Sequence, residues 1–189
     1  MDRFARTVLG YHGCEPAFAE QVINGVIPVS HWIPSANDYD WLGHGIYFWE
    51  HTPERALTWT NRSKKSGVGV IGAIIQLGNC LDLSDIDGTK LLEKNFENVK
   101  SSYERSGIDL PTNRHGRNFL DCLVINELNR KAAEVGLPFQ TVRCPFLEGS
   151  EVFPGSAIRS QSHVQLVVKN PMNILGVFRP NLSNIGDVP

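Results

Sequence analysis

The sequence is poor in cysteine, with four in 189 residues, and Cys14, Cys80, Cys122 and Cys144 stand singly with no Cys-x-x-Cys pair. That spacing argues against a closed zinc site or a disulfide framework, so buried thiols and no metal are expected. An excess of one charge is also missing, the formal net charge being -2. Such a balance argues against a nucleic-acid coat or a membrane-surface protein. The densest basic run, Asn61-Arg62-Ser63-Lys64-Lys65, reads as a solvated loop. No stretch is long enough to cross a membrane, and Met1 to Arg6 lacks the apolar core of a signal peptide, so a cytoplasmic protein without a membrane partner is expected. What is present is ordinary for a globular chain: 41% hydrophobic and 20% charged residues, enough to give one domain its own core. That domain spans residues 1–189, the last ten reading as a flexible tail.

Thr7 to Gly13 alternates as a first strand, with Val8, Gly10 and His12 on one face and Leu9 and Tyr11 on the other. A helix is expected from Glu15 to Ile23, opened by Pro16 and stopped by Asn24-Gly25. Val26 to Asp40 has no period and reads as a long loop, a length that compact domains keep for a task. Thr52-Pro53 opens another helix. Gly67 to Leu77 is a nearly unbroken apolar run, as in a central strand, and Asn79 to Asp87 is a polar turn. Leu92, Phe96, Val99 and Tyr103 recur at helical spacing in Thr89 to Ser106, as do Leu120, Val124, Leu128 and Ala132 in Asn118 to Val135. Strands return at Gln140 to Cys144, His163 to Lys169 and Asn173 to Phe178. Strands at both ends with helices between predict an α+β fold, not alternating βαβ units.

The densest chemistry lies in Trp41-Leu42-Gly43-His44-Gly45-Ile46-Tyr47-Phe48-Trp49-Glu50, a glycine-punctuated turn running into a β-prone segment. Such glycines let backbone pass close to another group, and the aromatic residues after them offer a ring to a flat ligand.

Together, Tyr11-His12-Gly13, the run LGHGIYF with the helix ERALTW behind it, and the late strand SHVQLVV resemble the ADP-ribosyltransferase superfamily, in its His-Tyr-Glu branch of poly(ADP-ribose) polymerases and diphtheria toxin. The resemblance covers the first sixty residues and the late strand. It implies a split antiparallel β-sheet core with flanking helices, and NAD as substrate. It also implies transfer of ADP-ribose to a macromolecular acceptor, a protein in preference to a nucleic acid, with release of nicotinamide. By the same resemblance His12 would bond the adenosine ribose, the Gly13 backbone would grip the nicotinamide carboxamide, and Tyr47 would stack on the nicotinamide ring. Trp59 falls within one residue of a second stacking aromatic.

Two departures matter. Arg55 stands where the polymerases have a carboxamide-binding serine; it could reach a phosphate instead, with Ser35 of the long loop supplying the hydroxyl. The late strand carries no acid, so Gln165, or as runner-up His163, takes the place of the glutamate that holds the ribose 2′-hydroxyl. The negative charge that an oxocarbenium-like transition state rewards must then be weaker or come from elsewhere. Glu148 and Glu151, in the loop before that strand, are candidates to activate an acceptor. Asp38 and Asp40 of the long loop are further acids near the site. Lack of the full carboxylate set favours mono-transfer over chain elongation, with NAD hydrolysis or a catalytically silent NAD- or ADP-ribose-binding module as alternatives.

Overall fold

The structure, a computed structural model, describes residues 6–61 and 67–183. The basic run from Arg62 to Lys65, the end of the tail from residue 184, and the side chain of Trp59 lie outside what is described.

Seven strands form one sheet: β1 (Thr7–Cys14), β2 (Ile46–Glu50), β3 (Gly69–Gln76), β4 (Cys80–Asp82), β5 (Thr141–Phe146), β6 (His163–Val168) and β7 (Ile174–Phe178). Their order is β4-β5-β6-β2-β1-β3-β7, and every pair is antiparallel except β4 with β5. Four α-helices complete the α+β architecture: α1 (Pro16–Ile23), α2 (Pro53–Asn61), α3 (Ile86–Ser106) and α4 (Phe119–Glu134). Among the described residues no helix is long and apolar enough to cross a membrane.

Alternation along the strands divides the core in two. Val8, Phe48, Ile71, Ala73, Ile75 and Leu166 point to one face and pack against Ala19 and Val22 of α1 and against Trp32. On the other face Val142 and Val167 meet Ile125 and Leu128 of α4, while Trp49 and Val70 meet Ala56 of α2. Burying each large aliphatic or aromatic side chain in these layers contributes about 1.5–3 kcal/mol. Helices α2 and α4 thus cover the second face over different strands.

The structure corrects the sequence reading at several points. The polar run from Asn79 to Asp87 contains β4, whose three residues pair with Thr141, Val142 and Arg143. Helix α3 begins three residues earlier than its apolar period, at Ile86, because the Asp85 carboxylate accepts from the Asp87 N–H and caps it. The Thr52 hydroxyl donates to the Glu50 carbonyl. Near the end of the described residues Arg179 is paired with Glu20, and Leu182 packs beside Trp49, Ala56 and Val70. Strand β6 is an interior strand between β5 and β2, so His163 and Gln165 stand inside the sheet and not on a solvated edge. Of the thiols, Cys14 and Cys122 are buried, and Cys80 and Cys144 half-buried.

Strands β1 and β2 hardly pair. Their register covers only Gly10 with Glu50 and Tyr11 with Trp49, whereas β1 pairs with β3 along its whole length from Thr7 to Cys14. Past Tyr11 a side chain takes over from the ladder, the His12 Nδ1 lying 2.8 Å from the Tyr47 carbonyl oxygen. A buried carbonyl needs a donor, and here an imidazole supplies one.

The turn into β2 accepts only glycine. At Gly45, φ is 151°, and a Cβ would lie 2.4 Å from Val167 Cγ1 and 2.8 Å from the Val168 carbonyl oxygen. Overpacking of this kind costs about 1–3 kcal/mol, so Gly45→Ala is expected to lower unfolding free energy by about 2 kcal/mol in urea titration. An unchanged midpoint would contradict this packing of the turn on β6.

Candidate active site

The long loop and the glycine turn are tied together before they reach the sheet. Ser35 N–H donates to Gly45 C=O at 2.9 Å and Gly45 N–H returns to Ser35 C=O at 3.0 Å. Asn37 Nδ2 donates to the Ser35 hydroxyl at 2.9 Å, and its backbone N–H donates to the Asp40 carboxylate at 3.1 Å. Tyr47 is pinned at its far end, its hydroxyl donating to Gly43 C=O at 2.9 Å and accepting from Leu42 N–H at 3.0 Å. Burial pushes this phenol well above its usual range, so it stays protonated and its ring keeps one orientation. Lys169 donates to the His44 carbonyl at 2.9 Å; burial brings its amine down to about 8.

A cleft of about 300 Å³ opens beside Tyr47 on the second face of the sheet. Tyr47 and Trp49 line it from β2 and Gln165 from β6, directly across the ladder from Trp49. Tyr39 and Trp41 of the loop close the aromatic wall, and Ser35, Asn37 and Asp40 add a hydroxyl, a carboxamide and a carboxylate. Four aromatic rings and one acid around a small cleft suit a flat cation, which gains both cation–π and Coulomb attraction there.

His12 and Gly13 line a second cavity, of about 460 Å³, with Phe18, Trp32 and Ile46. Consecutive residues of β2, Ile46 and Tyr47, therefore face one cavity each. The gap between β1 and β2 has a defined polarity. His51 N–H donates to Leu9 C=O at 3.0 Å, so in β1 the odd-numbered peptide groups turn towards β2. Gly13, two steps beyond Tyr11, therefore presents its N–H and C=O to the stretch that β2 does not pair. Trp32 lines the second cavity, and its indole nitrogen is buried without an acceptor among the described residues.

Arg55, Glu148 and His163 form a separate group at the start of β6. Arg55 donates to Glu148 at 2.5 Å and to Gln161 Oε1 at 2.9 Å. His163 Nδ1 lies 2.8 Å from Gln161 C=O and 3.8 Å from Glu148. Its side chain is fully enclosed, its ring is stacked on Phe146, and its Nε2 has no hydrogen-bond partner among the described residues. Burial above all, and the Arg55 charge, hold this imidazole below its usual pKa despite the Gln161 carbonyl and Glu148.

Of the residues singled out in the sequence, Tyr47, Gln165 and Ser35 thus share one cleft, and His12 and Gly13 share the neighbouring cavity. Glu148 is engaged by Arg55. Glu151 is drawn into its own loop, accepting from Gly155 N–H at 2.9 Å and facing Arg159 at 3.6 Å. Asp38 lines a third cavity, so Asp40 is the loop acid that reaches the cleft. Trp41 and Trp49 stand in the stretch singled out in the sequence but received no role there, and Tyr39 and Asn37 were not singled out. Period-two alternation after Tyr47 was the available signal for Trp49; the other three needed the loop's path. No family model matches the chain, and no curated protein matches its sequence.

A buried neutral His163 has a stability signature. With its folded pKa below the ordinary 6.5, the unfolded chain takes up the proton first as pH falls, and stability declines from about pH 7 downward. Urea unfolding at about pH 7 and 5.5 should show this loss in the wild type and a smaller one in His163→Gln. Parallel losses would contradict the burial of a neutral ring.

Proposed function

We propose that this protein is an NAD-dependent mono-ADP-ribosyltransferase acting on a macromolecule, a protein in preference to a nucleic acid, and that its sheet is the split sheet implied by the family resemblance. The observation that carries the reading is the gap between β1 and β2, with Gly13 peptide groups turned into it on one side and the pinned Tyr47 ring on the other. The cavities beside it fit the two halves of the substrate. The aromatic cleft accepts a cationic ring with its sugar, and the larger cavity, with the rings of His12, Phe18 and Trp32, accepts a nucleoside.

NAD brings the scissile bond between ribose and cationic nicotinamide. Tyr47 and Trp49 hold the ring while it is charged and less so once it is neutral, which favours departure of the nicotinamide. The Gln165 amide oxygen orients a ribose hydroxyl. Asp40, the one carboxylate lining the cleft, supplies the negative charge that the late strand lacks, and Asn37 holds it in place. Glu148 stays close enough to the same strand to serve the acceptor if Arg55 releases it.

A second reading, a module that binds NAD without cutting it, draws on the absence of an acid from β6 and the engagement of Glu148 by Arg55. Nicotinamide release from NAD in the presence of cell extract separates the two; none at all would remove the enzyme. Tyr47→Ala and Asp40→Asn are each expected to reduce release at least tenfold, a barrier increase of about 1.4 kcal/mol or more. Asp40→Asn should do so through turnover with little change in KM, and Gln165→Ala through both. Rates unchanged by all three would place the chemistry elsewhere.

A further inference from the structure

Among the described residues neither cavity proposed to hold NAD is lined by an arginine or a lysine, and each contains an acid, Asp40 in one and Glu15 in the other. A dinucleotide carries two phosphate charges that need cations, so its diphosphate must be met from the rim. Resting on the dinucleotide reading of the cleft, we propose that the hairpin Arg114-His115-Gly116-Arg117 is the diphosphate subsite.

Four observations place it. Gly116 itself lines the cleft beside Tyr47 and Gln165. The hairpin is a closed two-residue turn: Arg114 and Arg117 exchange both backbone hydrogen bonds at 3.0 Å, and both central residues have positive φ, 53° at His115 and 73° at Gly116. A histidine in that conformation is uncommon, and holding it in a loop costs stability that a passive connection would avoid. Arg117 lies over the Tyr39 ring, 5.0 Å from its centroid, which joins the hairpin to the aromatic wall of the cleft. Finally, Arg6, Arg55, Arg130, Arg143, Arg159 and Arg179 each face a carboxylate. Arg114 and Arg117 have no ion pair among the described residues, a property they share with Arg105 of α3, and both are exposed. Arg117 beside Tyr39 and Arg114, joined to it across the turn, supply two guanidinium forks, which bind phosphate oxygens in pairs where a lysine would offer only a point charge.

The test is calorimetric titration of the full chain with ADP, with NAD and, separately, with adenosine. In Arg114→Gln/Arg117→Gln the affinity for ADP should fall at least about tenfold and that for adenosine stay within about twofold, with a shallower salt dependence for ADP. Arg114→Gln alone leaves the Tyr39 contact intact and should weaken ADP at least about threefold, and Arg114→Lys/Arg117→Lys should restore part of the loss. Equal ADP affinity in wild type and double variant overturns the subsite while leaving the dinucleotide reading in place, whatever becomes of acceptor modification. Failure of the wild type to bind either ADP or NAD overturns both. A fall in adenosine affinity equal to that for ADP also overturns the subsite, because it assigns the effect to the cavity.

Discussion

The contact between His12 Nδ1 and the Tyr47 carbonyl governs this molecule because it replaces a stretch of β-ladder. Seven strands in one sheet would ordinarily pair along their lengths, and β1 does so with β3. On its other side, β1 meets β2 at two residues and then leaves it. A buried backbone carbonyl must be satisfied, and the imidazole does this without closing the gap. The cost of interrupted pairing is a pair of peptide groups at Gly13 and an aromatic ring at Tyr47 held on opposite sides of one opening. Both cavities that flank the opening depend on that interruption.

The glycine turn serves the same end. Gly43 and Gly45 both have positive φ, and each passes where a Cβ would strike a neighbour, Asn126 Oδ1 in one case and Val167 in the other. The close fit brings β2 down on β6, so that Trp49 stands opposite Gln165, and it places the Gly43 carbonyl where the Tyr47 hydroxyl can reach it. Ring orientation, strand register and loop path are therefore one constraint seen at three points. Charge is arranged with similar economy: most of the arginines are neutralised by carboxylates, including Arg143, which joins Glu50 on β2 to Asp82 on β4. The cleft keeps one acid, and the basic hairpin stands at its rim.

Much of this was legible in the sequence, and what was not has physical reasons. Strand β1, helices α1, α3 and α4, and the last two strands announced themselves by period and, for α1, by punctuation at Asn24-Gly25. Strand β4 did not, since three residues, Cys80 to Asp82, carry no period and owe their conformation to β5, some sixty residues away in the chain. Tyr47 and Gln165 could be named, but their meeting depends on β2 pairing with β6, a long-range choice that no local pattern encodes. The same limit hid the engagement of Glu148 by Arg55 and the approach of Tyr39, Trp41 and Gly116 to the cleft. Asp40, one of two acids in the long loop, was set apart from Asp38 only by the fold of the loop.

The central claim is that the gap between β1 and β2 and the cleft beside it bind one ligand together. Titrating ¹⁵N-labelled protein with NAD and following the Gly13 amide and the Gln165 side-chain amide tests it most directly. The account predicts that both signals shift along one saturable curve with a common dissociation constant. Shifts confined to other parts of the molecule, or separate curves for the two groups, would contradict it.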